Sequence, residues 1–164
     1  MKKSKIILIS SLLALIAAAV ILAQVFTPGI LWILTPKAKP QTGVLESVDP
    51  SEHITQLEPE EIKYLINNSV TFESDEKKGN FMFENPEVSE YTVKFFVYEK
   101  IGDGETENLI YESDFINPGQ YISGDKLLRK LKKGTHECSC IARAYKDGEF
   151  QGEQSSDITV AVLK

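Results

Sequence analysis

His136, Cys138 and Cys140 stand at alternate positions late in the chain, and imidazole with thiolate is the ligand set of a zinc site. On an extended strand the three side chains share one face. At a rise of about 3.3 Å per residue, however, the outer two lie roughly 13 Å apart. One zinc with bonds of about 2.0–2.3 Å does not span that distance. No metal is expected, and the two thiols read as small inward-facing core residues, a row that Ala142 and Ala144 continue. A disulfide between them is excluded too. Same-face strand neighbours sit about 6–7 Å apart, whereas bridged Cβ atoms approach to about 3.8 Å.

Hydrolytic chemistry finds no better constellation. A nucleophile and an orienting acid need a histidine beside them. His53 falls in a polar stretch and His136 at a strand corner. Asp103, Glu105 and Glu107 are close enough to pair as carboxylates, but Gly102 and Gly104 make them a solvated hairpin tip. The expectation is a non-enzyme with no catalytic residues and no cofactor.

Two groups read as contact surfaces instead. Lys126, Arg129, Lys130, Lys132 and Lys133 interleave with Leu127, Leu128 and Leu131. This predicts a short amphipathic turn whose leucines cap the core while the bases face water. Such bases suit anionic lipid headgroups or wall polymers, each adding about 1 kcal/mol at a membrane surface; the plainer alternative is a solvated connection. Met82, Phe96, Tyr98 and Ile141 fall on outward strand positions and form the candidate protein-contact face. Asn67-Asn68-Ser69 matches a glycosylation acceptor, a short pattern.

The elements that position these residues are β-strands. Beyond Asn67 the apolar period is two: Val70 and Phe72, Phe81 and Phe83 against Asn80, Met82 and Glu84, then Tyr91, Val93, Phe95 and Val97. Lys78-Gly79, Asn85-Pro86, Gly102-Asp103-Gly104 and Pro118-Gly119 break the runs, the last with the chemistry of a type II turn. Later strands are expected over 108–113, 121–127, 135–145 and 155–163, with Ile158, Val160 and Val162 inward. About seven strands in some 100 residues predict an all-β, two-sheet sandwich of immunoglobulin-like or fibronectin-like topology.

Leu131-Lys132-Lys133-Gly134-Thr135-His136-Glu137-Cys138 resembles the E–F corner of immunoglobulin-like domains. His136 stands where tyrosine is usual, and an imidazole nitrogen can make a similar bond to backbone. Taken with Phe83-Glu84-Asn85-Pro86, Tyr111-Glu112-Ser113, Ile116-Asn117-Pro118-Gly119-Gln120 and Leu128, the chain resembles a group of small, single-pass, membrane-anchored β-sandwich proteins of Gram-positive bacteria, mostly uncharacterised. The resemblance spans nearly the whole chain. It implies fold and location but no activity, because its motifs are turn and core residues.

Location is read from the other end. Ile6 to Phe26 carries no charge, and as a helix it would extend about 31 Å, matching a hydrocarbon core of about 30 Å. Its length and the large Leu22 favour a retained anchor over a cleaved signal. Trp32 follows where interfacial rings gather. Lys2, Lys3 and Lys5 place the start, residues 1–5, in the cytoplasm, with the anchor over 6–26 and the C-terminal domain outside.

Residues 27–59 read as an interfacial segment and a polar tether, the latter from Thr35 to about Pro59 and flexible over about 27 Å, and residues 60–164 as the folded domain. Ile62, Leu65 and Ile66 after Pro59 fit either a helical turn or a first strand. Of 18 basic residues, removing the three starting lysines leaves 15 against 24 acidic ones, a poor surface for nucleic acid. The expected partners are the bilayer, through the N-terminal helix, and an envelope protein. The expected function is a non-catalytic interaction module. A carbohydrate or wall-polymer binder is the alternative, and an envelope hydrolase comes third.

Overall fold

Alternating β-branched and aromatic residues suit a pleated strand with one dry face, and strands are the main regular element among the described residues. The computed structural model describes residues 36–46, 49, 52–58, 61–102 and 106–164, except the side chains of Thr106 and Glu107. The expected basic start, the anchor over 6–26 and the interfacial stretch with Trp32 lie outside the described residues. Among those described, no helix is long and apolar enough to cross a membrane.

In chain order the strands are β1 (Gln41–Thr42), β2 (Ser69–Phe72), β3 (Phe83–Asn85), β4 (Thr92–Ile101), β5 (Thr106–Glu112), β6 (Gln120–Ile122), β7 (Gly134–Lys146) and β8 (Glu149–Val162). They form two sheets, one ordered β2-β8-β7-β4-β5 and the other β1-β6-β3. Every strand pairing is antiparallel except β2 beside β8. The expected all-β, two-sheet architecture is therefore present.

Inward residues of both sheets meet in one core. Val93, Phe95 and Val97 of β4, Ile158, Val160 and Val162 of β8, and Val70 and Phe72 of β2 are buried as their alternation predicts. Phe83 from the small sheet stacks on Phe95 from the large one at 4.3 Å between centroids, and Phe81 stacks on Tyr111 at 4.1 Å. Each such pair adds about 0.5–1.5 kcal/mol beyond area burial.

The turns follow their residues. Gly119 has φ +70° and the Gln120 N–H donates to the Asn117 carbonyl at 3.1 Å, the type II geometry expected for Pro118-Gly119. Asp147 and Gly148, with φ 53° and 83°, form the two-residue β7–β8 hairpin. The last strand consequently begins at Glu149 rather than the expected Ser155, because an Asp-Gly turn lets pairing start at once. Gly79 is dictated by space: a Cβ there would lie 2.4 Å from the Phe72 ring.

Residues 61–66 are extended, with Leu65 bridged to Glu84 and Tyr64 and Ile66 packed against the core. Of the two expected alternatives, the strand-like one holds here.

The stretch before them differs from the expected tether. β1 pairs with β6, Leu45 is 1% exposed, and its N–H donates to Glu84 Oε2 at 2.8 Å. His53 Nδ1 lies 2.9 Å from Glu84 Oε1, the Ala38 N–H donates to Asp125 Oδ2 at 2.8 Å, and Lys37 pairs with Glu112 at 3.0 Å. These residues form a strap on the domain, and Lys37–Lys164 is one compact unit. Backbone pairing and buried carboxylate acceptors hold it, with Leu45 buried and Ala38 packed against the core. Glu84, which alternation places on the wet side of its strand, is buried beneath it.

Candidate functional site

The outer face of the large sheet gathers aromatic and cationic side chains by register alone. Lys94 lies opposite Arg143, Phe96 opposite Ile141, and Tyr98 opposite Ser139. The Arg143 guanidinium sits 4.8 Å from the Phe96 centroid, while the Lys94 ammonium is 5.3 Å from Phe96 and 5.1 Å from Phe115. Phe115 meets Tyr145 edge-on at 5.3 Å, and Tyr145 meets Phe150 at 6.0 Å. Rings and aliphatic stems thus cover one continuous strip, as cation–π geometry favours.

The cations on this strip are held in place. Arg143 Nε donates to Glu153 at 2.9 Å, and Lys94 pairs with Glu112, which Lys37 also reaches. Burial raises the Glu112 carboxyl, but the bonds from Lys94 and Lys37 outweigh it and hold the group below its ordinary range. A carboxyl lowered by folding stabilises the fold at neutral pH and loses that contribution as pH falls through its folded value.

Three of the four expected contact residues, Phe96, Tyr98 and Ile141, therefore sit together. Met82 does not join them. It precedes β3 of the small sheet, away from β4 and β7, has φ 54°, is half-buried, and donates its N–H to the Ser123 carbonyl. Arg143 and Tyr145 complete the strip and were legible in principle, since they share the parity of Ile141. Phe115 lies off any strand and Phe150 follows the hairpin, so periodicity does not find them.

The chain matches no protein-family model, no curated protein and no solved structure.

Among the basic residues, Leu127 and Leu131 are buried, whereas Lys126, Arg129, Lys130, Lys132 and Lys133 are exposed. The segment carries no helical turn; instead the Leu128 N–H donates to the Ile110 carbonyl. Lys130 reaches Glu76 at 3.2 Å and Asp75 at 3.7 Å, and the Glu76 bond raises its affinity for the proton. The cluster sits at the Gly134 end of β7 and the aromatic strip runs to Tyr145, roughly 36 Å along the strand.

The corner histidine makes its bond. His136 Nε2 lies 2.8 Å from the Lys132 carbonyl and Nδ1 lies 2.7 Å from Glu99. Both ring nitrogens lie within hydrogen-bond distance of an oxygen. Asn67 is engaged as well: its amide donates to the Asn80 carbonyl and its oxygen accepts the Ser69 N–H. A glycan on that amide would displace a turn bond. Asp103 and Glu105 lie outside the described residues, as does the Glu107 side chain. Among the described residues, no group of three or more His, Cys, Asp or Glu is placed to hold a metal ion.

Cys138 and Cys140 are free and buried, and desolvation pushes each thiol from the ordinary 9.0 up to about 12. Native protein at about pH 8 is expected to resist a thiol reagent that labels both residues in denaturant, because the thiolate is the reacting form. The folded thiols keep their protons where unfolded ones ionise, so stability should fall as pH rises above about 9 towards 12. Rapid native labelling of either cysteine would refute the packing described.

Proposed function

We propose that this chain is a membrane-anchored, extracytoplasmic β-sandwich of immunoglobulin-like topology that docks another envelope protein through the outer face of its large sheet, without catalysis. The observation that carries this reading is the continuous strip of Phe96, Tyr98, Ile141, Tyr145 and Phe150 with Arg143 laid across it. Aromatic residues and arginine are the types enriched at protein interfaces and at their hot spots. The topology is supported by the strand order, with β2 parallel to β8, and by the His136 bond to the Lys132 carbonyl. The uncharged run from Ile6 to Phe26 supports the anchor, and the lysines before it support a cytoplasmic start.

A photo-crosslinking side chain at Tyr98 or at Ile141, in the full chain in native membranes, is expected to trap the same protein from both positions. The same group at Val88, exposed on the turn after β3, should trap none. Arg143→Ala should lower the yield about tenfold or more if the guanidinium is a hot spot. Different adducts from the two positions, or adducts indifferent to Arg143, would remove the strip as an interface.

A hollow of about 630 Å³ lined by Tyr145, Phe150, Gly152, Arg143 and Glu153 favours a second reading, a sugar ring stacked on the aromatics with its hydroxyls on the Arg143–Glu153 pair. Retention on purified wall glycan, abolished by Phe150→Ala, with no protein adduct, would select it.

A further inference from the structure

Charge pairing over the described surface is uneven. Lys37 and Lys94 share Glu112, Lys63 holds Glu61, Lys100 holds Asp157, Lys130 reaches Asp75 and Glu76, Lys146 holds Glu90, Lys164 holds Glu73, and Arg143 holds Glu153. The described bases without an acidic partner among the described residues are Lys39 on the strap, Lys77 and Lys78 in the turn after β2, and Lys126, Arg129, Lys132 and Lys133 between β6 and β7; all seven are exposed. These segments are far apart in sequence but tied together. Gly79 and Asp125 exchange both backbone bonds, at 2.9 and 3.2 Å, and the Ala38 N–H lies on the Asp125 carboxylate.

Where they meet is a hollow of about 390 Å³ lined by Lys39, Lys78, Gln41, Asn80 and Ser123 with glycine backbone, and none of its lining residues is acidic. The nearest buried carboxylate, Asp125, is already committed, accepting the Ala38 N–H on one oxygen and the Lys126 N–H on the other. Two ammonium groups, a hydroxyl and side-chain amides around one hollow suit a phosphate ester. In a chain with more acids than bases, this concentration of unpaired cations runs against the composition.

We infer that this hollow, between the strap and the β2–β3 turn, seats the phosphate of an anionic phospholipid headgroup, with the surrounding bases on the bilayer surface. The inference rests on the proposed anchor. From Phe26 at the end of the apolar run to Ala38 there are 12 residue steps by sequence number, which span at most about 43 Å when fully extended. A tether of that length lets the site return to the bilayer surface, where the attraction of lipid phosphate acts within a Debye length of about 8 Å.

The test uses the full chain reconstituted in vesicles of phosphatidylcholine with and without phosphatidylglycerol, and mass spectrometry of lysines after a brief membrane-impermeant acylation. Lys39 and Lys78 are expected to react roughly fivefold more slowly with phosphatidylglycerol present. Lys63 and Lys164 should be unchanged, and about 0.5 M salt should erase the difference. Lys39→Gln with Lys78→Gln should also reduce the protection of Lys126. Equal rates in the two vesicles would overturn the inference. So would protection by soluble glycerol phosphate polymer or inorganic phosphate in phosphatidylcholine vesicles with none from phosphatidylglycerol. Flotation in alkaline carbonate reads the anchor separately: protein that leaves the vesicles there contradicts the anchor, while the labelling comparison still reports on the hollow.

Discussion

Phe83→Ala is expected to cost about 3–5 kcal/mol of folding stability, the largest loss of any single truncation considered, read as a lower urea midpoint by far-UV circular dichroism. Phe83 is 1% exposed and carries ring contacts from the small sheet to the large one. It stacks on Phe95 of the large sheet at 4.3 Å with planes 13° apart, and it flanks Phe81 at 5.2 Å and Tyr111 at 5.6 Å. Truncation removes these contacts together and leaves a void that fixed neighbours cannot fill. Tyr111 is a poor candidate to move into it, because its own ring is stacked on Phe81 and its hydroxyl is buried. Burial, with the Asp125 carboxylate nearby, pushes that phenol well above its ordinary range, so it stays neutral. Phe83→Leu keeps much of the apolar volume and should lose distinctly less. A loss below about 1 kcal/mol for the alanine variant would contradict the shared core.

Glu84→Ala, one residue along the same strand, is expected to cost about 2–4 kcal/mol and to act on the strap before the rest of the domain. Glu84 accepts the Leu45 N–H on one oxygen and faces His53 with the other. Its loss leaves the buried Leu45 N–H unpaired within a segment whose sheet pairing covers only Gln41 and Thr42. Hydrogen exchange should therefore accelerate at Gln41–Leu45, while amides of β4 and β7 keep their protection until global unfolding. Glu84→Gln retains one acceptor oxygen and should fall between wild type and alanine. Uniform acceleration across both sheets would mean that the strap is not a separate cooperative unit. Release of the strap would also draw Lys39 away from Lys78, so this variant should weaken the lipid-dependent protection of those lysines.

Adjacent residues thus have opposite reasons for burial, and the difference marks how far local pattern reaches. The inward sets Val93, Phe95 and Val97, and Ile158, Val160 and Val162, were legible because strand geometry alone assigns them to one face. The Pro118-Gly119 turn was legible because its dihedrals need those residues, and the Asp147-Gly148 hairpin was available on the same grounds. Phe96, Tyr98 and Ile141 of the contact strip followed from parity, and Arg143 and Tyr145 share the parity of Ile141. Phe115 and Phe150 did not follow from it, because they join the strip from a connection and from beyond a hairpin. Met82 stands apart because it precedes β3 of the small sheet, whereas Phe96, Tyr98 and Ile141 lie on β4 and β7 of the large one.

The strap was misread for a related reason. Residues 36–58 are poor in apolar side chains, and composition predicts a tether from that alone. Backbone hydrogen bonds to β6, however, carry no side-chain signature, and the acceptors that hold Leu45 and Ala38 come from Glu84 and Asp125, distant in sequence.

The sequence by itself determined which residues share a strand face, where the chain turns, and that two thiols at alternate positions cannot bridge, since all three are consequences of covalent geometry over a few residues. Only the tertiary structure decided which faces are covered. Glu84 is dry because a segment from elsewhere lies over it, and Lys39 neighbours Lys78 because the Gly79–Asp125 pairing and the docked strap bring them together. Burial and charge proximity are properties of pairs of segments, and the alternation within one strand is blind to its partner.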